Sequence, residues 1–440
     1  MNMHSKRIAV TAGLLLTQIS AFGGTTQHAT TPDEIRAIVR EVLADAETRS
    51  SLLGNANAGY NRGFFIQNED QNFQMRFGFV SQVRYIYNNR RNGATAGDGG
   101  SLDDFGFSLR RTQFDIQGHA LNPNLTYRLR LDAGNGGNVA AAFAWVNYKF
   151  SDALSLRFGQ IKPSFLHEEN VPGPAQLAVE RSYTADYFTT DFSQGAQLTW
   201  QPADRLRLVG TVHDGSYAWR TDFNNTGTDV AFAARAEFIA VADEPKSAWR
   251  QFNDFASWSG DQTAVMIGAA INYEIGESND LGDRPDILKW TVDVNAQLGG
   301  LSLFGSVTGQ SFDVSGPLAA GVPTNLDGSN QLGIVGQASY FIVPDKFEPF
   351  VRYEWIDFDG VYYRNNQGGI QGGSRNLDGK DELSILTVGA NYYFHKHNAK
   401  LTVDLVYAFD QVPVANTGGG LLRSACGDQY ALRAQFQLRF

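Results

Sequence analysis

The sequence has one cysteine, Cys426, among its 440 residues. A single thiol excludes an internal disulfide framework and any cysteine cluster that could hold a metal. The chain also lacks an excess of positive charge, because 36 Lys+Arg stand against 46 Asp+Glu and give a formal net charge of -10. Proteins that neutralise phosphates concentrate basic residues, so this balance argues against a nucleic-acid partner.

Long apolar runs are missing as well. After the N-terminus no stretch reaches the roughly 18 uncharged apolar residues that a membrane-spanning helix needs. The 30 Phe, 17 Tyr and 7 Trp exclude a disordered chain, which would be poor in aromatic residues. Phosphate-binding glycine loops, zinc-protease helices and serine-hydrolase elbows are also missing, so we expect no enzyme, no cofactor and no metal site. His395 and His397 form an H-x-H pair, but we expect a solvated turn there.

The first 62 residues precede the main pattern of the chain. A basic pair, an apolar run over residues 8–16 and small residues after it follow the order of a secretory signal peptide, which we place at residues 1–23. Residues 32–53 then show one apolar stripe with helical spacing, and a linker follows. We therefore predict a periplasmic helical segment and linker over residues 24–62, either solvated or forming a short coiled coil between subunits.

From residue 72 to Phe440 the apolar residues recur with a period of two. In the first such segment Phe77 and Tyr85 fall on one face, whereas Arg76 and Arg84 fall on the other. Sixteen segments of this kind can be counted, and several are longer than ordinary strands. The pattern places apolar groups outward against lipid and polar groups around an aqueous bore.

The predicted connections alternate between short turns and long loops. The exceptions are a long connection at 241–261 and a short one at 134–137. Short turns on one side, long loops on the other and an even strand count are typical of outer-membrane barrels, and lipid requires such a sheet to close. We therefore predict an all-β fold, a 16-stranded antiparallel transmembrane β-barrel over residues 63–440 behind a short N-terminal periplasmic helix.

Several short motifs resemble the phosphate-selective porin O and P family. Residues 159–165 read Gly-Gln-Ile-Lys-Pro-Ser-Phe, residues 350–355 read Phe-Val-Arg-Tyr-Glu-Trp, and the hairpin over 389–401 contains Asn-Tyr-Tyr-Phe-His. The resemblance covers roughly residues 60–440.

The resemblance implies a fold, a location and partners. It implies a barrel in the bacterial outer membrane, surrounded by lipid and assembled as a homotrimer, with the loop over 164–193 folded inward as a constriction. It also implies that Phe440 is the signal by which the barrel-assembly machinery recognises the chain.

The inward faces of the predicted strands are rich in arginine. The predicted pore-lining, anion-attracting residues are Arg76, Arg84, Arg111, Arg128, Arg130, Arg157, Arg207, Arg235 and Arg352. Fewer acidic residues share these faces, so the wall is predicted to be basic and to concentrate anions. In the alternative interpretation the inward arginines and carboxylates pair with one another and hold the shape of the barrel.

The predicted constriction loop has the opposite charge. Its candidate residues are Lys162, Glu168, Glu169, Glu180, Arg181 and Asp186. Phosphate-preferring members of the family are expected to place several basic groups at the narrowest point, and this loop departs from that pattern. An arginine wall facing an acidic loop would instead give a transverse field suited to general diffusion.

We predict a porin through which small hydrophilic solutes diffuse passively across the outer membrane, and a preference for anions, phosphate among them, is a separate expectation. Two other functions stay open. One is a surface adhesin or structural barrel whose loops bind a partner. The other is a barrel-embedded hydrolase, which would need Ser or Asp beside His119, His167 or His213.

Overall fold

The computed structural model describes residues 33, 37, 40, 41, 57–60, 63–91, 102–134, 139–222, 227–279, 282–319, 322–364, 375–376 and 381–440. The predicted signal peptide and, apart from four single positions, the predicted helix over 32–53 lie outside these residues. In the described part of the chain no helix is long and apolar enough to cross a membrane. The residues Ala56–Phe440 form one unit.

Sixteen long strands form an antiparallel sheet that closes on itself. They are β1 (Gln74–Arg90), β2 (Leu102–Ala120), β3 (Asn122–Ala133), β4 (Val139–Lys149), β5 (Leu154–Ile161), β6 (Ser193–Ala203), β7 (Leu206–His213), β8 (Thr228–Val241), β9 (Ala264–Gly276), β10 (Asp286–Leu298), β11 (Leu301–Asp313), β12 (Asn330–Tyr340), β13 (Phe347–Asp357), β14 (Glu382–His395), β15 (Ala399–Ala408) and β16 (Gln429–Arg439). Each strand pairs with its neighbour in sequence, and β16 pairs with β1 to close the barrel. The predicted 16-stranded antiparallel barrel is confirmed.

The connections are short at one end of the barrel, here termed the turn side, and mostly long at the other, the loop side. On the turn side Gly299 and Gly300 alone join β10 to β11, with φ of 61° and 95°, a region that favours glycine. The exception on this side is the segment over 242–263. On the loop side the longest fully described connection runs over 162–192 between β5 and β6.

Three short α-helices lie in these two connections. α1 (His167–Asn170) and α2 (Tyr183–Phe188) belong to the loop over 162–192, and α3 (Pro245–Ala248) belongs to the segment over 242–263. Ser182 caps α2, since its hydroxyl accepts a hydrogen bond from the Ala185 N–H at 2.8 Å. The same two connections contain two 3₁₀ turns, at Gly173–Ala175 and Gln251–Asn253. Two small ladders lie in other loop-side connections and pair Ser278–Asn279 with Gly282–Asp283 and Val361–Tyr362 with Arg375–Asn376.

A short hairpin precedes the barrel. Its strands Asn57–Tyr60 and Phe64–Gln67 pair with each other, and the second strand pairs with the beginning of β1. The hairpin therefore occupies the part of the β1 edge that β16 does not reach. At this junction the Phe64 and Phe440 rings lie 5.9 Å apart.

Side chains alternate along the strands as the sequence predicts. In β8, Phe232 and Phe238 are about half exposed on the outer face, whereas Arg235 and Glu237 are buried on the inner face. The outer face presents a broad apolar surface that includes Phe107, Phe158, Trp200, Ile267, Trp290, Val388 and Phe436. Exposing such a surface to water would be strongly unfavourable, whereas contact with lipid acyl chains carries no such cost.

The interior of the barrel is partly filled by a hydrophobic core. The loop over 162–192 packs on inward apolar residues of β13–β16, in a cluster that includes Phe165, Tyr187, Phe188, Ile356, Leu383, Ile385, Val406 and Ala431. A second cluster joins this loop to the 242–263 segment and includes Val171, Leu177, Phe255, Trp258, Phe304, Phe341 and Tyr393. Apolar side chains therefore line part of the lumen, in addition to the polar groups that the strand pattern predicts. Dyad periodicity does not record which loops fold back inside.

Candidate pore and constriction

The Glu180 carboxylate is one of the groups that hold the loop over 162–192 inside the barrel. Glu180 accepts hydrogen bonds from Arg110 Nε at 2.6 Å, from Arg111 Nη2 at 2.6 Å and from Arg84 Nη2 at 3.2 Å. Burial by itself would raise the pKa of Glu180, but Arg110 and the other two guanidinium groups hold this pKa well below its ordinary value. The carboxylate therefore stays charged and ties the loop to the β1–β2 wall.

Strand side chains also hold the loop from behind. Arg352 donates to the Glu180 carbonyl at 3.0 Å, and Arg235 donates to the Phe165 carbonyl at 3.0 Å. Both arginines are 2% exposed and lie beside carboxylates. Three of the predicted pore-lining residues, Arg84, Arg235 and Arg352, thus lie in buried contacts with the loop.

A β-bulge places one basic residue that the sequence analysis missed. The register between β1 and β2 shifts where Gln82 opposes Arg111 and Val83 opposes Leu109, so Arg110 is the extra residue. Both Arg110 and Arg111 consequently reach Glu180. A signal for this bulge exists in the sequence, because the outward residues of β2 change from odd positions at Phe107 to even positions at Phe114.

The segment over 242–263 fills the barrel from the turn side. His397 Nε2 lies 2.7 Å from Asp254 Oδ1, and Trp258 Nε1 donates to Asp254 Oδ2 at 2.9 Å. The Phe255 N–H donates to the Ala175 carbonyl at 3.5 Å and so links this segment to the 162–192 loop. The expectation of a solvated turn at His397 is therefore wrong, because that side chain is 7% exposed and bound to Asp254.

A water-accessible cavity of about 680 Å³ remains between β2–β8 and the 162–192 loop. Its charged lining comprises the basic residues Arg110, Arg111, Arg128, Arg130, Arg157, Lys162, Arg181 and Arg207 and the acidic residues Asp132, Glu169, Glu180, Asp186, Asp191 and Glu237. These are eight basic and six acidic residues among those that the structure describes. Five predicted wall arginines, Arg111, Arg128, Arg130, Arg157 and Arg207, are in this lining, and Arg76 is not.

The basic wall of the cavity is only partly neutralised. Arg128 and Arg130 share a single carboxylate, Asp115, at 2.6 and 2.5 Å. In the described part of the chain, no carboxylate lies within 4.0 Å of Arg157, and its one hydrogen bond is to Gln197 at 3.3 Å. Arg207 contacts Glu237. The β2, β3 and β5 part of the wall therefore carries an excess of positive charge.

The predicted constriction residues lie at different depths. Lys162 contacts Glu169 and lies 3.6 Å from Asp191, while Arg181 pairs with Glu169 at 3.2 Å; all four line the cavity. Asp186 also lines the cavity and pairs with Arg364 at 2.8 Å. Glu168 does not line the cavity; it is buried and accepts a hydrogen bond from the Ser182 hydroxyl at 2.7 Å.

Three histidines were candidates for a hydrolase. His119 contacts the Gln71 carbonyl, and His167 contacts Asn295. His213 Nδ1 lies 3.3 Å from Ser193 Oγ, but Ser193 is fully buried and neither residue lines the cavity. In the described residues, no group of three His, Cys, Asp or Glu side chains is placed to hold a metal ion.

Comparison with known proteins gives one family and several structures. A family model described as phosphate-selective porin O and P matches residues 81–440. No curated protein matches the sequence.

The structural neighbours are outer-membrane barrels. OprB of Pseudomonas putida has a TM-score of 0.52 at 11% identity and covers 83% of this chain and 94% of its own. An anion-selective porin from Comamonas acidovorans has a TM-score of 0.51 at 11% identity, with 83% and 99% covered. OmpT of Vibrio cholerae, in a trimer form, has a TM-score of 0.51 at 12% identity, with 83% and 99% covered. At these identities the likeness establishes the fold.

Proposed function

The chain belongs to the phosphate-selective porin O and P family, and from that premise we propose that its channel passes small hydrophilic solutes with a preference for anions. The protein is a porin of the bacterial outer membrane, and its family and closed barrel are those of a channel rather than an enzyme. In this membrane the turn side faces the periplasm and the loop side faces outward.

The excess of guanidinium groups on one wall supports the preference for anions. Six arginines on β1, β2, β3 and β5 stand against three carboxylates, Asp115, Asp132 and Glu180. Five of them share Asp115 and Glu180, namely Arg84, Arg110, Arg111, Arg128 and Arg130, whereas Arg157 pairs with no carboxylate among the described residues. A narrow, low-dielectric passage focuses such a field and raises the local concentration of anions. A structural neighbour is named an anion-selective porin, which is consistent with this proposal.

The acidic loop argues for a general preference rather than strict phosphate specificity. Glu169 and Asp191 line the cavity opposite the arginine wall, so a solute meets both signs of charge. Arginine binds phosphate and carboxylate alike through its two parallel donors. We therefore propose that phosphate is one of several anions that pass.

The reversal potential in a potassium chloride gradient tests this proposal in planar bilayers. We expect chloride to be preferred over potassium. Arg157→Gln should lower that preference by a factor of about 2 to 5, because one charge at close range is worth up to about 1 kcal/mol in a well-solvated site. Removing Arg157 leaves no carboxylate without its partner among the described residues, so the barrel should fold normally.

Arg250→Gln is the matched control, since Arg250 is exposed on the 242–263 segment and does not line the cavity. Its reversal potential should equal that of the wild type. A wild-type channel that prefers potassium, or an Arg157→Gln channel that keeps the full chloride preference, would contradict the proposal.

Processing and assembly complete the proposed function. We propose that residues 1–23 are removed on export, that residues 24–62 stay in the periplasm, and that the barrel forms a homotrimer. The trimer form of a structural neighbour supports the oligomer. If the proposal holds, single insertions should conduct in three equal steps. Phe440 lies at the seam, which is the pairing of β16 with β1 that closes the barrel, and this position fits a role in recognition by the barrel-assembly machinery.

A further inference from the structure

The cavity contains a row of aromatic rings that an anion-preferring wall does not require. The Trp219 and Phe192 rings are stacked at 5.9 Å, and the Phe192 and Phe143 rings meet edge to face at 5.0 Å. Trp145 follows Phe143 by two residues and so shares its face of β4. All four side chains line the cavity. This aromatic row runs from the loop side along the β4 wall.

Each ring of the aromatic row has a cation beside it. The distances from the charged group to the ring centroid are 4.5 Å for Arg220 on Trp219, 4.5 Å for Lys162 on Phe192, 4.8 and 5.3 Å for Arg128 and Arg130 on Phe143, and 4.3 Å for Arg157 on Trp145. Positive charge and aromatic surface therefore alternate at close range along the same path.

Arg157 and Trp145 form the most available pair of the row. The cavity-lining bases Arg128, Arg130 and Lys162 already contact carboxylates, whereas the structure gives Arg157 no such partner among the described residues. Its Nε is buried without a hydrogen-bond acceptor there. A solute carboxylate in the cavity can pair with the Arg157 guanidinium group while the apolar part of the solute lies against Trp145.

We propose that the aromatic row is a track for planar aromatic carboxylates; this proposal rests on the anion-preferring channel proposed above. A flat ring can stack on or against the four aromatic side chains in turn, and its carboxylate can pass from Lys162 to Arg130, Arg128 and Arg157. An inorganic anion would interact only with the Lys and Arg side chains of the row. A neutral sugar can contact only the ring faces and brings no carboxylate to Arg157.

Two solutes of equal charge provide the test. Potassium benzoate and potassium cyclohexanecarboxylate differ mainly in that the benzoate ring is flat and aromatic. Their permeability ratio, from reversal potentials with one salt on each side of the bilayer, should favour benzoate by about threefold or more, because aromatic pairs of this type contribute factors of about 2 to 10. The combined variant Phe143→Ala and Trp145→Ala should lower the ratio toward one, because it removes two of the four rings.

Trp200→Ala is the matched control, because Trp200 is a large aromatic residue on the outer face and 48% exposed. It should leave the ratio unchanged. If the double variant does not fold, as judged by the heat-dependent shift of barrels on gels, Trp145→Leu keeps apolar bulk and should still lower the ratio.

The possible failures are distinguishable. A wild-type ratio near one in a channel that still prefers chloride overturns the track and leaves the proposed porin function intact. A channel that prefers potassium overturns the proposed function itself. Block of the current by maltose together with a benzoate ratio near one would mean that the row binds sugars, which also overturns this inference.

Discussion

At the scale of single residues, arginines with the same position in the strand pattern have different roles. Arg128 and Arg235 both alternate with outward apolar residues, yet Arg128 lines the cavity and Arg235 is 2% exposed behind the loop. Strand periodicity predicts only that each points inward. Which of them faces water depends on where the 162–192 loop lies, and that information is not in the strand. The wall therefore contains both arginines that line the cavity and arginines that are buried beside carboxylates.

Glu180→Gln tests the carboxylate that anchors the loop. The variant leaves the guanidinium groups of Arg84, Arg110 and Arg111 without their shared carboxylate, so we expect the free energy of unfolding to fall by about 3–5 kcal/mol. It also adds positive charge to the cavity, so the chloride preference should rise. Urea midpoints in detergent and reversal potentials measure the two effects.

The exposed Glu244 gives a control of the same chemistry. Glu244→Gln removes a carboxylate from the surface of the 242–263 segment and should change neither quantity measurably. An unchanged urea midpoint for Glu180→Gln would show that the loop does not depend on this anchor.

At the scale of elements, the segment over 242–263 is the one long turn-side connection, and it folds into the lumen. The sequence shows that this connection is long, as the exception among the short turns, but it does not show that the connection folds into the barrel. Phe255 and Trp258 carry it into the barrel, where they pack with Phe304, Phe341 and Tyr393. On a surface loop these rings would be exposed to water, so their burial provides the driving force for the inward fold.

The docking of this segment should weaken in acid. Burial lowers the pKa of His397, Lys400 and Arg439 lower it further, and Asp254 opposes the shift. When the segment is undocked, His397 in the β14–β15 turn would lose its contact with Asp254 and would titrate near the ordinary histidine pKa of about 6.5. The undocked state therefore binds more protons below that pH, so docking becomes less favourable as the pH drops from 7 to 5.

Hydrogen–deuterium exchange of peptides over 245–258, corrected for intrinsic rates, measures this effect. We expect protection to be lower at pH 5 than at pH 7, by a factor of up to about 25, which is the limit for one histidine of ordinary pKa over this pH range. His397→Asn should remove the dependence on pH. Equal protection at both pH values in the wild type would rule out His397 as the titrating group.

At the scale of the whole molecule, the sequence predicts the barrel well and its contents poorly. The sixteen strands follow from the alternation of residues such as Phe232 and Arg235, because lipid on one side and protein or water on the other impose a period of two. The interior does not obey so simple a rule. Ile385 and Val406 are inward and apolar because a folded loop covers them, and no local pattern distinguishes this from an error in the strand register.

Closure of the barrel depends on contacts between the two ends of the chain. Phe440 exchanges backbone hydrogen bonds with Phe79, and its ring lies 5.5 Å from the Phe79 ring and 5.9 Å from that of Phe64. Such contacts join residues far apart in sequence, so they carry a large loop-closure cost and are expected to form late in assembly.

Phe440→Ala should therefore reduce the yield of assembled barrel, and Phe394→Ala is the matched comparison. Both rings are partly exposed on the outer face and contact two other rings. The described ring contacts of Phe394, with Tyr392 on β14 and Phe436 on β16, do not join β16 to β1. Each variant should lose a similar stability, about 1–3 kcal/mol from two aromatic contacts. Only Phe440→Ala should also slow closure, seen as a smaller heat-modifiable fraction at early refolding times. Equal refolding rates for the two variants would show that the seam is not the late step.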